Sequence, residues 1–227
     1  MRTVRSRFRV ELVCATTRGG ALLPDAPPIA KDYDALRSCY RTMRLTEAFD
    51  EKAVALQRQG RLGTYPESKG EHGLVAYAMA MRCIEKETGY PVIHLPHYRL
   101  NGPAFYLAED QLAQMVRMLL YWGGDDRGSD AWGERDFDFP HSVPIGSHVP
   151  IAAGVALALK HYRTPSAAVC VFGDGATSEG ATYEAMNIAA VMDLPVVFFI
   201  DNNQWAISVP VVKQTAAETL AQKGIAA

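Results

Sequence analysis

The 227-residue sequence predicts an α/β protein: a mostly parallel sheet with helices on both faces. Three observations point there. Residues 167–172 and 195–200 are short, continuously apolar runs, the pattern of strands buried on both faces. Residues 178–192, between them, have the length and pattern of a helix, so strand, helix and strand form a right-handed crossover unit. Gly173-Asp174-Gly175 ends the first strand in a tight turn, and Asp201-Asn202-Asn203 ends the second.

The other elements follow in chain order. Residues 1–32 read as an N-terminal arm. Arg2, Arg5, Arg7 and Arg9 precede the first acid, Glu11, which would suit a transit peptide. Phe8, Val10 and Leu12 alternate with polar residues, and the arm is read instead as a short strand of the mature protein. A turn at Gly19-Gly20 and a link through Pro24, Pro27 and Pro28 lead to the main domain, residues 33–227. Asp32 or Asp34 can cap a helix over 33–59, with Leu36, Tyr40, Met43, Phe49, Val54 and Leu56 at helical spacing and Gly60 as its C-cap.

A glycine-punctuated segment, 63–73, enters a helix reaching about Cys83. Residues 91–95 form a short strand, with His97-Tyr98-Arg99 just beyond its end. Residues 111–121 form an amphipathic helix. Residues 123–140, rich in Gly, Asp and Arg and without period, form a long loop. Pro150 suits the first turn of a helix running to about Tyr162. Residues 215–227 carry an amphipathic helical pattern that stops abruptly. A doubly wound sheet usually has more strands than these, so the C-terminal part of the fold is expected to be missing from this chain.

Composition narrows the function. A net charge of -2 argues against non-specific nucleic-acid binding. No segment approaches the roughly 18–20 apolar residues of a membrane helix. The longest apolar run, 151–159, reads as a core helix. Cys14, Cys39, Cys83 and Cys170 are scattered, with no zinc, redox or disulfide spacing, which fits a reducing cytoplasm.

In an open parallel sheet, ligands bind beyond the carboxyl ends of the strands, where Gly173-Asp174-Gly175 and Asn202-Asn203 both lie. Glycines let backbone amides approach a phosphate. An aspartate there would repel a diphosphate unless a cation intervened, and Asp and Asn oxygens suit magnesium. The constellation reads as a diphosphate held through a metal. Two other readings stand beside it: a structural turn with a capping aspartate, and a dinucleotide site using Gly173, Gly175, Gly180 and Asp201. The latter's glycine spacing is off pattern.

The run GDGATSEGATYEAMNIAAVMDLPVVFFIDNNQWAISVP, residues 173–210, resembles the thiamine diphosphate motif in the alpha subunit of 2-oxo acid dehydrogenase first components. RQGRLGTY (58–65) and QTAAETLAQK (214–223) are also similar to bacterial pyruvate dehydrogenase alpha subunits. The resemblance implies the thiamine diphosphate-binding fold, with thiamine diphosphate and magnesium as cofactors. Asp174 and Asn203 would ligate magnesium by side chain, and Trp205, where the family usually has Tyr, by its carbonyl. Gly173, Gly175 and Ala176 would lie along the diphosphate, with Arg99, preceded by Tyr98, on a phosphate oxygen. In HSVPIGSHVP (141–150), Ile145 would support the bent cofactor and Val143 would touch its pyrimidine side. Ala206 and Ile207 complete the implied cofactor set.

Departures from the family limit the transfer. Ser142, Pro144, Ser147 and His148 stand where branched-chain members hold potassium, with His148 in place of a Gln. Pro66 stands where some pyruvate enzymes have a substrate-facing His. Gly70-Glu71-His72-Gly73 replaces Gly-Gln-Glu-Ala, and His72 is read as packing on a helix face. No catalytic residue is assigned: the family's histidine loop falls beyond these residues, and its activating glutamate belongs to the beta subunit. The resemblance implies oxidative decarboxylation of pyruvate with acyl transfer to a lipoyl group. The implied partners are a beta subunit, in a two-plus-two heterotetramer, and the lipoyl acyltransferase component. The implied location is the bacterial cytoplasm, or the mitochondrial matrix if the Arg-rich start is a transit peptide. Alternatives are a branched-chain 2-oxo acid or acetoin dehydrogenase alpha subunit, an inactive truncated alpha chain, and a nicotinamide dinucleotide enzyme.

Overall fold

The computed structural model describes residues 8–125, 135 and 138–227. The first long helix, α1 (Tyr33–Arg58), starts where Asp32 accepts a 3.0 Å hydrogen bond from the Ala35 amide. The chain then turns at Gly60, whose φ is 69°. α2 (Val75–Thr88) leads into β1 (Val92–Leu95). Next come α3 (Asn101–Leu107), α4 (Gln111–Trp122) and α5 (His148–His161). β2 (Ala167–Gly173), α6 (Gly180–Val191) and β3 (Val196–Asp201) complete the crossover unit expected from sequence.

The three strands form one parallel sheet in the order β1-β2-β3. Alternate residues of β2 feed two cores. Ala168, Cys170 and Phe172 pack with Val149, Ala152 and Ala156 of α5 and Ala185 of α6. Val171 packs on the other face with Tyr77, Ala78 and Met81 of α2 and Leu107 of α3. α1, α3 and α4 build a third cluster around Phe49, Phe105 and Met118. Among the described residues, no helix is long and apolar enough to cross a membrane.

Three expectations change. First, β3 is not covered on both faces: Val197 is 52% exposed and Phe199 36%. β3 is the edge strand here, and the core formed with α2 reaches β1 and β2. The Tyr77 ring approaches Phe199, at 5.6 Å between centroids. Second, residues 8–14 form no strand; Phe8 and Leu12 are exposed, with no neighbouring strand to pair them. An isolated antiparallel bridge between Thr16 and Leu22 follows instead. Arg2, Arg5 and Arg7 lie outside the described residues. Third, the C-terminal segment is not one helix. α7 (Val211–Gln214) stops at Thr215, whose backbone is extended, and α8 (Ala221–Ala226) starts anew. Residues 205–210, assigned to no element above, form a hairpin of β4 (Trp205–Ala206) and β5 (Val209–Pro210). The loop expected over 123–140 lies largely outside the described residues. Arg135, which is described, donates to Glu85 and to the Val92 carbonyl, each at 2.7 Å.

Candidate functional site

Parallel pairing sets Gly173, the last residue of β2, opposite Asp201, the last of β3. The chain leaves β2 in a 3₁₀ turn, Asp174–Ser178, and leaves β3 toward the β4-β5 hairpin. A cleft of about 830 Å³ opens at these strand ends. Its lining includes Tyr98, Arg99, Ile145, Gly173, Asp174, Gly175, Ala176, Asn203, Trp205, Ala206 and Ile207. Of the residues expected from sequence, only Val143 is absent from that lining; it is 46% exposed.

Asp174 is only 1% exposed. Its carboxylate is fixed by Gln214 of α7, whose Nε2 donates to Oδ2 at 2.9 Å and to the Val209 carbonyl at 3.0 Å. Its own carbonyl accepts from the Thr177 hydroxyl at 2.7 Å. Gly175 is required by close approach: a Cβ there would stand 2.8 Å from the Ala206 Cβ, so the hairpin seats directly on the turn. The hairpin tip carries strain, because Ile207, β-branched, is held at a φ of 55°. Trp205 stands opposite Pro210 in a pair without ladder bonds, the flanking bond running from the Val211 amide to the Gln204 carbonyl at 2.9 Å.

Asn203 joins the turn to the opposite wall. Its Oδ1 accepts from the Trp205 amide at 3.0 Å, and its Nδ2 donates to Glu71 Oε1 at 3.2 Å. Arg99 Nε lies 4.0 Å from that same oxygen, its Nη1 donates to the Glu67 carbonyl at 2.6 Å, and its guanidinium stands 5.3 Å from the Tyr98 ring centroid. Burial, then the neighbouring Asp201 carboxylate, pushes the Glu71 carboxyl up to about 7. Asp201 is raised by burial and by Asp174. His97 Nδ1 accepts from the Arg99 amide at 3.3 Å, which leaves the ring proton on Nε2. Burial, reinforced by His148 and His141, lowers His97 to about 3 and keeps it neutral.

Glu71, His97 and Gln214 were given no role in the sequence reading. Each comes from a segment remote from the glycine turn, so no local spacing signals it. The other departures are also located. His72 Nε2 lies 3.1 Å from Asp50 Oδ2 on α1. His148 is buried, with Nε2 donating to the Val171 carbonyl at 2.8 Å. The Ser142 and Ser147 hydroxyl oxygens lie 2.7 Å apart, each 3.0 Å from the Pro144 carbonyl oxygen.

A parallel sheet whose strand ends present a glycine turn, a buried aspartate and an asparagine defines an α/β protein of the diphosphate-binding type. The chain belongs to the dehydrogenase E1 component family, whose model matches residues 40–227. It is 38% identical over 194 residues to the pyruvate dehydrogenase E1 component subunit alpha of Acholeplasma laidlawii, covering 85% of this chain and 53% of that protein. It is 37% identical over 209 residues to the 3-methyl-2-oxobutanoate dehydrogenase subunit alpha of Mycobacterium tuberculosis, covering 89% and 54%. It is 37% identical over 195 residues to the pyruvate dehydrogenase E1 component subunit alpha of Bacillus subtilis, covering 86% and 49%. The chain thus spans about half the length of these curated relatives. Membership of the family implies thiamine diphosphate as cofactor.

Proposed function

We propose that this chain is the cofactor-holding part of a pyruvate dehydrogenase alpha subunit. Assembled with a beta subunit in a two-plus-two heterotetramer, it would serve the oxidative decarboxylation of pyruvate and acyl transfer to the lipoyl group of an acyltransferase component. The observation that carries this reading is the juxtaposition of buried Asp174 and exposed Asn203 beyond adjacent parallel strands, over a turn in which Gly175 has no room for a Cβ.

The residues suit the cofactor. When bound, thiamine diphosphate supplies the nucleophilic carbon and the electron sink that decarboxylation of a 2-oxo acid requires. Asp174, Asn203 and the Trp205 carbonyl would supply three of the six oxygens magnesium prefers, the rest coming from the diphosphate and water. Gly173, Gly175 and Ala176 would line the diphosphate. Arg99 would donate to its oxygens as a charge-assisted contact. Tyr98, Ile145, Ala206 and Ile207 would bound the rest of the cofactor. The proton-moving residues belong to other segments, so turnover is assigned to the assembly.

Calorimetric titration of thiamine diphosphate, with and without magnesium, tests the reading. Binding should need magnesium and tighten when the beta subunit is added. Binding indifferent to magnesium would overturn it. A second reading, a 3-methyl-2-oxobutanoate dehydrogenase, is favoured by the Mycobacterium tuberculosis relative. Turnover of the assembled enzyme on pyruvate against 3-methyl-2-oxobutanoate decides between the two.

Gln214 should matter to the metal without touching it. Gln214→Met keeps the volume and removes both donated hydrogen bonds. It is expected to weaken magnesium affinity about 10- to 100-fold, the usual effect of losing a partner that orients a ligand. The check is magnesium titration at saturating thiamine diphosphate; an unchanged affinity would show that Asp174 is oriented without Gln214.

A further inference from the structure

A second group of side chains in the cleft has no role in the reading above. Glu71, His97 and Asp201 each contribute a ligand atom, all within 4.8 Å of one another. Each also ends in a buried atom without a hydrogen-bond partner among the described residues: Glu71 Oε2, His97 Nε2 and Asp201 Oδ2. Glu71 and His97 are each only 8% exposed, so water does not freely supply what they lack. None of the three belongs to the set Asp174, Asn203 and Trp205.

The chemistry of the three defines what they would bind. Asn203 donates to Glu71 Oε1, and Arg99 lies nearest that same oxygen, leaving Oε2 open. The two carboxylates bring anionic oxygens within 4.8 Å of one another, a separation one cation can bridge. His97 is held neutral with its proton on Nε2, so it offers an N–H rather than a lone pair. Carboxylate oxygens select a hard cation, and a buried N–H requires an oxygen. A hydrated divalent ion satisfies both, because its bound water supplies that oxygen. One ion at about 2.1–2.5 Å from its ligands spans ligand separations up to about 5 Å.

We propose that Glu71 and Asp201 ligate a second divalent cation of the hard, oxygen-liganded class, with His97 donating to a water on that ion. The site lies in the same cleft as the proposed magnesium site but uses different side chains. It places a positive charge where two acids would otherwise face an anionic ligand.

The test is titration of Mn²⁺ alone, followed by the loss of its free-ion electron paramagnetic resonance signal, with no thiamine diphosphate present. The full chain carrying Asp174→Asn is used, which disables the proposed magnesium site. That chain should still take up Mn²⁺, and adding Asp201→Asn should weaken uptake by about tenfold or more. Glu71→Gln on the same background should do likewise; it keeps an acceptor for Asn203 and serves if the Asp201 variant fails to fold by circular dichroism. No uptake by the Asp174→Asn chain, or uptake that neither added substitution alters, would overturn the proposal. A nitrogen directly coordinated to Mn²⁺ in the pulsed spectrum would overturn the role given to His97. Because the titration lacks thiamine diphosphate, its failure leaves the proposed function to be judged by its own calorimetry.

Discussion

Asp174→Ala is expected to abolish magnesium-dependent binding of thiamine diphosphate in the assembled alpha–beta complex while leaving the circular dichroism of the chain unchanged. Asp174 is almost wholly buried, and Gln214 holds one of its oxygens. Removing it deletes a charged ligand, so the loss should exceed the roughly 10- to 100-fold that follows loss of an outer partner. The fold should tolerate the change for two reasons. Gln214 keeps its bond to the Val209 carbonyl, and Asp201 loses a neighbour that raises its carboxyl. Calorimetry on the mutant complex gives the answer, and undiminished binding would remove the metal assignment.

Phe172→Ala is expected to have the largest effect on stability. Phe172 lies on the central strand and is fully buried. Its ring meets Phe198 at 6.2 Å and His148 at 6.4 Å between centroids, both edge to face. Truncation removes that packing and leaves a cavity between α5, α6 and the sheet, a change that costs about 3–5 kcal/mol. That is a large share of the roughly 5–15 kcal/mol by which a domain is usually stable. Phe172 is also among the residues that border the cleft. Urea denaturation should report the destabilisation, with Phe172→Leu losing less because it refills most of the space. Equal midpoints for wild type and Phe172→Ala would contradict the packing described.

What was legible in the sequence divides by range. β2 and β3 announced themselves because strands inside a parallel sheet need apolar residues throughout, and α1 because its spacing is long and its cap explicit. Asp174 and Asn203 were legible because each follows within two residues of a strand's end. α3 was missed: Asn101, Gly102 and Pro103 are poor helix formers, yet tertiary packing around Phe105 and Leu107 makes them the first turn of a helix. Proline is tolerated there because the first amides of a helix lack partners. The β4-β5 hairpin was hidden because its strands have two residues each and its tip has Ile207 in place of a glycine or asparagine. The exposure of Val197 and Phe199 was hidden for another reason: an apolar run does not record whether its strand lies at the centre or the edge of a sheet. Glu71 and His97 converge only through tertiary folding, which no local pattern encodes.

The bond from Gln214 to Asp174 crosses 40 residues of chain. Together with the contact of Ala206 over Gly175 and the bonds from Lys223 to Thr177, it ties the glycine turn to everything that follows β3. The docking of residues 205–226 and the readiness of Asp174 to receive an ion are therefore one equilibrium. A ligand that prefers the oriented carboxylate draws the downstream segment onto the turn, and by reciprocity anything that loosens that segment lowers affinity at a site it never touches.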